Sequence, residues 1–307
     1  MVKPTIGGGK QTLILATAMV IIGGVIWGGT FTLAKLITES GVHPFGLALL
    51  TSLTGAAFLL PYSVIRHGGV PLARDYVQVY FIAGIVGTAL PSSVLFYVAA
   101  QMPAGILAII VSLVPLMSYA LALLFGVERL EALRVAGTGL GFAAVLMILI
   151  PDTSLPDPSM ALWAMLALIA PLSYSVENIY IAIRRPPKSN PFVLLGGMMG
   201  VASLILLPLV WVNDAWVPFD VLIALPLWWI PTLSLINIVG YVLFLELIVM
   251  TGPLFAAQMG YAVTISGVLW GIVIFGEAHS AWVWAALAVM FAGIAMVHPS
   301  KERPSPP

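Results

Sequence analysis

"FGVERLEALR", residues 125–134, and "FGEAHSAWVW", residues 275–284, are two versions of one corner. Each closes a long apolar run with Phe-Gly and carries a glutamate just beyond the glycine, but only the first has arginines, Arg129 and Arg134. A corner that recurs without its cations is what a duplicated chain shows when the two copies meet opposite sides of a membrane. The surrounding sequence tests that reading.

The chain has 307 residues, of which 61% are hydrophobic and 8% charged, against about 25% charged in soluble domains. Apolar runs of roughly 20 residues recur along its length, the length a helix needs to cross a hydrocarbon core about 30 Å thick. The chain is therefore read as an all-α, polytopic membrane protein. Zero net charge speaks against a nucleic-acid partner, and the lack of cysteine excludes disulfides, thiolate metal sites and cysteine nucleophiles. Between Lys10 and Lys35 lie 24 uncharged residues, too long for the core of a cleaved signal, so this run is expected to be retained as the first span.

Apolar length and Pro/Gly corners predict ten spans, near 12–37, 44–65, 75–98, 104–126, 131–150, 159–182, 191–212, 222–249, 253–275 and 281–298. Pro226 and Pro231 make the start of the eighth the loosest boundary. With both termini in the cytoplasm, the lysines and arginines fall on the cytoplasmic side, as short-loop cations do, with Lys35 the exception. Outer corners hold only acids: Glu39, Asp152, Asp157, Asp214, Asp220 and Glu277.

Self-similarity recurs at an offset of 148 to 150: "VLFYVAAQM" at 94 with "VLFLELIVM" at 242, and "FAAVLM" at 142 with "FAGIAM" at 291. The expected organisation is a first five-helix repeat over 1–150, a second over 151–298, and a cytoplasmic tail over 299–307. Five is odd, so the second repeat must run inverted. Arg129 and Arg134 suit a cytoplasmic corner and would oppose insertion at its outward-facing twin. Inverted repeats are a transporter architecture in which the site lies at mid-depth between the halves and opens to each side in turn.

Polar residues deep in a span are costly and face the bundle interior. The sixth span offers Tyr174, Glu177 and Asn178 on one helical face, a turn after Pro171. Further candidates for substrate binding are Trp27 in the first span, Tyr80 and Tyr97 around "LPSS" (90–93) in the third, and Ser112, Pro115 and Tyr119 in the fourth. The eighth adds Asn237 and Tyr241, and the ninth Gln258 and Tyr261. Aromatic walls with a few amides, hydroxyls and one acid suit a small amphipathic solute.

Other polar residues have plainer readings. Trp163, Trp211, Trp216, Trp228, Trp229, Trp282 and Trp284 lie near span ends, where aromatic side chains anchor at the interface. Glu246 is expected at the interface. Lys35 either meets a substrate carboxylate or snorkels to the boundary. Glu128 and Glu277 are expected to favour the helices that follow them through the helix dipole. Glycine pairs 24/28, 137/141, 196/200 and 267/271 predict close helix contacts, and Pro91, Pro115, Pro171 and Pro208 predict kinks or breaks.

"GGGKQT" lacks the leading glycine and the Ser/Thr of a phosphate loop, and no zinc or nucleophile-elbow motif is present. No enzymatic activity, cofactor or metal is expected, and transport must follow a gradient.

"WGGTFTLAK" (27–35), "FGVERL" and "FGEAHS", set in ten spans, resemble the drug/metabolite transporter superfamily, EamA type, over nearly the whole chain. "YVAAQMPAGILAIIVSLVP", Tyr97 to Pro115, is similar to the segment joining spans three and four in bacterial inner-membrane exporters of aromatic and other neutral amino acids. That resemblance implies a cavity lined by Tyr97, the surroundings of Pro115 and the Tyr174–Asn178 stripe. Val114, Tyr174 and Glu177 depart from the exporters' pattern. The expected function is export of amino acids or related metabolites across the bacterial inner membrane by alternating access without ATP, with no oligomer required. A proton-coupled efflux carrier for lipophilic cations, using Glu177, is the alternative, and an intramembrane enzyme the third reading.

Overall fold

The computed structural model describes residues 10–126, 128–149, 155, 157, 159–187, 189–224, 226, 228–251 and 258–297. The expected tail 299–307 lies outside them. The helices are α1 Lys10–Glu39, α2 Pro44–His67, α3 Arg74–Gly84, α4 Leu90–Ala99, α5 Ala104–Val111, α6 Val114–Leu124 and α7 Ala132–Leu149. They continue as α8 Met160–Ala167, α9 Ile169–Arg184, α10 Pro191–Val212, α11 Phe219–Ala224, α12 Trp229–Thr251, α13 Gln258–Phe275 and α14 Ala281–Met296. A π-helical turn, Ile85–Ala89, joins α3 to α4.

Among the described residues, eight helical stretches are long and apolar enough to cross a membrane, and the shorter apolar helices Trp229–Phe244 and Ala281–Met296 occupy the places of the eighth and tenth expected spans. The eighth differs most from expectation. Residues Phe219–Ala224 form a separate short helix, and the span starts only at Trp229, because Pro226 and Pro231 lack the N–H groups that a continuous helix from 222 would need. Proline also divides the fourth span into α5 and α6, whereas Pro208 is carried inside α10 without a break. The beginning of the ninth expected span, 253–257, lies outside the described residues.

The second and seventh spans begin alike. His43 Nδ1 accepts the Phe45 N–H at 3.2 Å, Asn190 Oδ1 accepts the Phe192 N–H at 2.9 Å, and each cap is followed by a proline at the first helical turn. Such caps satisfy backbone donors that a helix start leaves over. Hydroxyls inside the spans return their protons to the carbonyl one turn back, as Thr51 does to Leu47 and Ser203 to Met199.

The first span packs on the eighth and ninth, and the sixth on the third and fourth. The second packs on the seventh, the fifth on the tenth and the fourth on the ninth; the third also meets the seventh, as the second meets the eighth. Exchanging each span for the one five places on leaves this set of neighbours unchanged. Small residues set the closest approaches. A Cβ on Gly28 would lie 2.6 Å from the Val263 carbonyl oxygen, and Gly137 and Gly293 face each other so closely that a Cβ on either would lie 2.6 Å from the other's carbonyl oxygen.

A Gly28→Ala substitution is therefore expected to force the first and ninth spans apart and destabilise the protein by about 1–3 kcal/mol, read as a lower melting temperature in detergent. Gly139→Ala meets open space, so its melting temperature should stay level or rise.

Candidate functional site

The predicted site residues divide into those along the seam between the two halves and those pinned elsewhere. Across the seam, Trp27 of the first span donates its indole N–H to Asn237 Oδ1 of the eighth at 3.2 Å, with the ring lying over Gly240, where no Cβ would fit. Asn237 in turn donates to the Leu233 carbonyl at 2.9 Å, which fixes its amide for Trp27. The sixth span meets the first half in the same manner. Its Glu177 carboxylate rests on Gly87, in the π turn of the third span, where a Cβ would overlap the carboxylate.

Glu177 is buried, and among the described residues no donor lies within hydrogen-bonding distance of it. Its neighbours along α9 are well tied. Ser175 donates to the Val114 carbonyl of the fourth span at 3.0 Å, beside Pro115, and Asn178 donates to Ser118 at 3.3 Å. Tyr174 packs against the main apolar core, and Tyr241 of the eighth span lies within charge-interaction range of Glu177. The seam thus gathers Trp27, Pro115, Tyr174, Glu177, Asn178, Asn237 and Tyr241. Chemically it offers one unpaired acid, two amides and aromatic faces.

Other candidates are placed differently. Tyr119 belongs to the Phe-Gly corner: its hydroxyl donates to the Arg129 carbonyl and accepts the Glu131 N–H, both at 3.0 Å, beneath the Arg134 guanidinium. Tyr80 is buried against Gly197 of the seventh span and serves packing. Ser112 turns back on the Ile109 carbonyl at 2.6 Å at the break of the fourth span. Tyr261 stacks edge-on against Phe291 of the tenth span, and Gln258 is exposed at the start of α13. Tyr97, near the end of α4, lies between Phe45 of the second span and Trp163 of the sixth.

The two corners resolve differently from expectation. Glu277 serves a helix of the other half, not the helix that follows it. Its carboxylate accepts the N–H groups of Ala104 at 2.6 Å and Gly105 at 3.1 Å, capping α5, and takes a third bond from Lys35 Nζ at 3.2 Å. Lys35 also lies over the Phe275 ring. Of the two readings for Lys35, neither holds: it closes a buried ion pair. At the other corner, Arg134 is buried and bonds Glu128 at 3.1 Å, with Glu131 at 3.4 Å.

Sequence reasoning missed Gly87, Ser118 and Ser175. Only Ser175 carried a signal, sitting within the polar stripe; Gly87 gains meaning only from the acid that folds onto it.

Two outcomes follow from the Glu277 cluster. Lys35→Met leaves a buried carboxylate without its cation and is expected to cost about 3 kcal/mol, with Lys35→Met/Glu277→Gln recovering much of the loss in thermal denaturation. His279, buried beside Glu277 at 3.5 Å, has its imidazole held below the ordinary histidine value by burial; Glu277 opposes this and Lys35 adds to it. The unfolded chain then binds the proton more readily, so stability should fall as pH drops through about 6.5. His279→Gln should flatten that dependence in melts taken from pH 8 to 5.

Comparison with known proteins places this geometry. A profile of the EamA-like transporter family matches residues 14–150 and again residues 161–298. The uncharacterized inner membrane transporter YedA of Escherichia coli K12 is 25% identical over 285 residues, covering 89% of this chain and 87% of YedA, and YedA of E. coli O157:H7 matches equally. A protein known from a crystal structure shares the fold at 19% identity, with a TM-score of 0.58 over 92% of this chain and 96% of that one. Two matches to one profile, together spanning almost the whole chain, show that it belongs to the EamA-like transporter family.

Proposed function

We propose that this membrane transporter exports amino acids or related small metabolites across a bacterial inner membrane, by alternating access and without ATP. The halves, 1–150 and 151–298, run inverted to one another with both termini in the cytoplasm, and substrate occupies the seam between them. The observation that carries this reading is the Glu177 carboxylate, buried between the halves without a hydrogen-bond donor among the described residues. An uncompensated acid at that depth is costly, and it is tolerable where a transported group or a proton completes it. An ammonium group fits the acid and the aromatic faces of Tyr174 and Tyr241, while the Trp27–Asn237 pair offers hydrogen bonding to a carboxylate or side chain.

A pair of bundles that exchange roles across a two-fold relation supplies the motion, since the helix pairings named above are kept when the halves are swapped. The inner-membrane relative YedA supports the location. The unpaired Glu177 also favours a second reading, efflux of lipophilic cations in exchange for protons.

Counterflow of labelled neutral amino acids into proteoliposomes is the test, with unlabelled amino acids and cationic dyes as competitors. Saturable counterflow blocked by amino acids is expected, and Glu177→Gln should lower it by at least about tenfold, the equivalent of one charge-assisted hydrogen bond. Loss of dye efflux in Glu177→Gln with amino-acid counterflow intact would instead select the cation carrier.

A further inference from the structure

Beyond the Glu177 site, the second, third, sixth and seventh spans line a crevice of about 610 Å³, the volume of a small-molecule site. Its wall residues Ile85, Leu90, Tyr97 and Leu209 are 39%, 41%, 41% and 42% exposed, so the space is not sealed. It runs directly into the apolar surface that faces the bilayer.

Two of the polar groups in it are already engaged. Ser93 donates to the Ala89 carbonyl at 2.7 Å, and Asn213 donates to the Leu209 carbonyl at 2.8 Å. Water entering the deep part would find few partners, and apolar cavities of this kind do not hold ordered water. Polarity rises toward one end only. There the rim carries His43, which caps the start of α2, and Asn213, just past the end of α10, so that end lies at the membrane boundary.

A space that begins at a polar boundary, deepens into hydrocarbon and opens sideways matches one occupant. We propose that the crevice holds an acyl chain of a membrane phospholipid, its headgroup remaining at the His43–Asn213 rim. Which leaflet supplies it rests on the orientation proposed above; the outer one follows from cytoplasmic termini. Ile85 and Ala89, both in the crevice wall, are the two ends of the π turn whose Gly87 seats Glu177. A bound chain therefore braces the turn on the side opposite the acid.

The test is native mass spectrometry of the purified full chain, titrated with dioleoyl phosphatidylethanolamine after delipidation. One phospholipid should bind at least about tenfold more tightly than the rest. Ala89→Phe, which fills the crevice, should abolish that one site, and Leu146→Phe, on the exposed face of α7, should keep it. A second readout avoids any folding defect of the filled variant. The chain has no cysteine, so Ser93→Cys carries a single bimane label, and lipids brominated along the acyl chain should quench it in liposomes more strongly than headgroup-directed quenchers. Equal binding by wild type and Ala89→Phe together with an unquenched label would overturn the proposal, as would release of the bound lipid by transported amino acids, which would make the crevice a substrate portal.

Discussion

Hydrocarbon cannot solvate a peptide group or a charge, and every other feature of this protein follows from that limit. Backbone groups are closed inside helices, hydroxyls such as those of Thr51 and Ser203 are folded back onto their own turns, and Lys35, near the far end of the first span, is locked to Glu277. The hydroxyls of Thr30, Thr32 and Tyr80 are buried without a partner among the described residues, and the Glu177 carboxylate differs from them in being an acid. It is buried in a span and rests on the bare backbone of Gly87 in the third span.

The same limit explains the unequal corners. Glu277 accepts two N–H groups from the start of α5 and one bond from Lys35, so a single carboxylate joins the first, fourth and ninth spans across the two halves. Glu128 has a different partner in Arg134, whose guanidinium is buried over Tyr119 and braces the turn between the fourth and fifth spans. Arg134 of the first corner is thus structural. Arg134 serves its own turn, and Val283, near the equivalent place in the second corner, needs no partner.

Much of the architecture was legible in the sequence, because apolar length and proline position act locally. The all-helical, membrane-crossing class, the family and the break at the eighth span's prolines all follow from residues near one another in the chain. Pairings between distant residues were not legible. Nothing in "FGEAHS" says that its glutamate will cap Ala104, and nothing near Tyr119 says that its hydroxyl will turn to Arg129 and Glu131, since both depend on which helices become neighbours. Tyr80 and Tyr119 looked like cavity residues because a buried tyrosine in a packing contact and one facing a substrate have the same sequence signature. The stripe at Tyr174–Asn178 was readable because its spacing alone puts three polar side chains on one face.

The claim beneath the mechanism is that the halves run in opposite senses, and surface labelling of the two corners tests it most directly. Arg129 and Ala278 are both exposed, so each can be replaced by the chain's only cysteine and treated with a membrane-impermeant maleimide in intact cells and in inverted vesicles. The account predicts that Ala278→Cys is labelled only from outside and Arg129→Cys only from the cytoplasmic side. Labelling of both from the same side would contradict it.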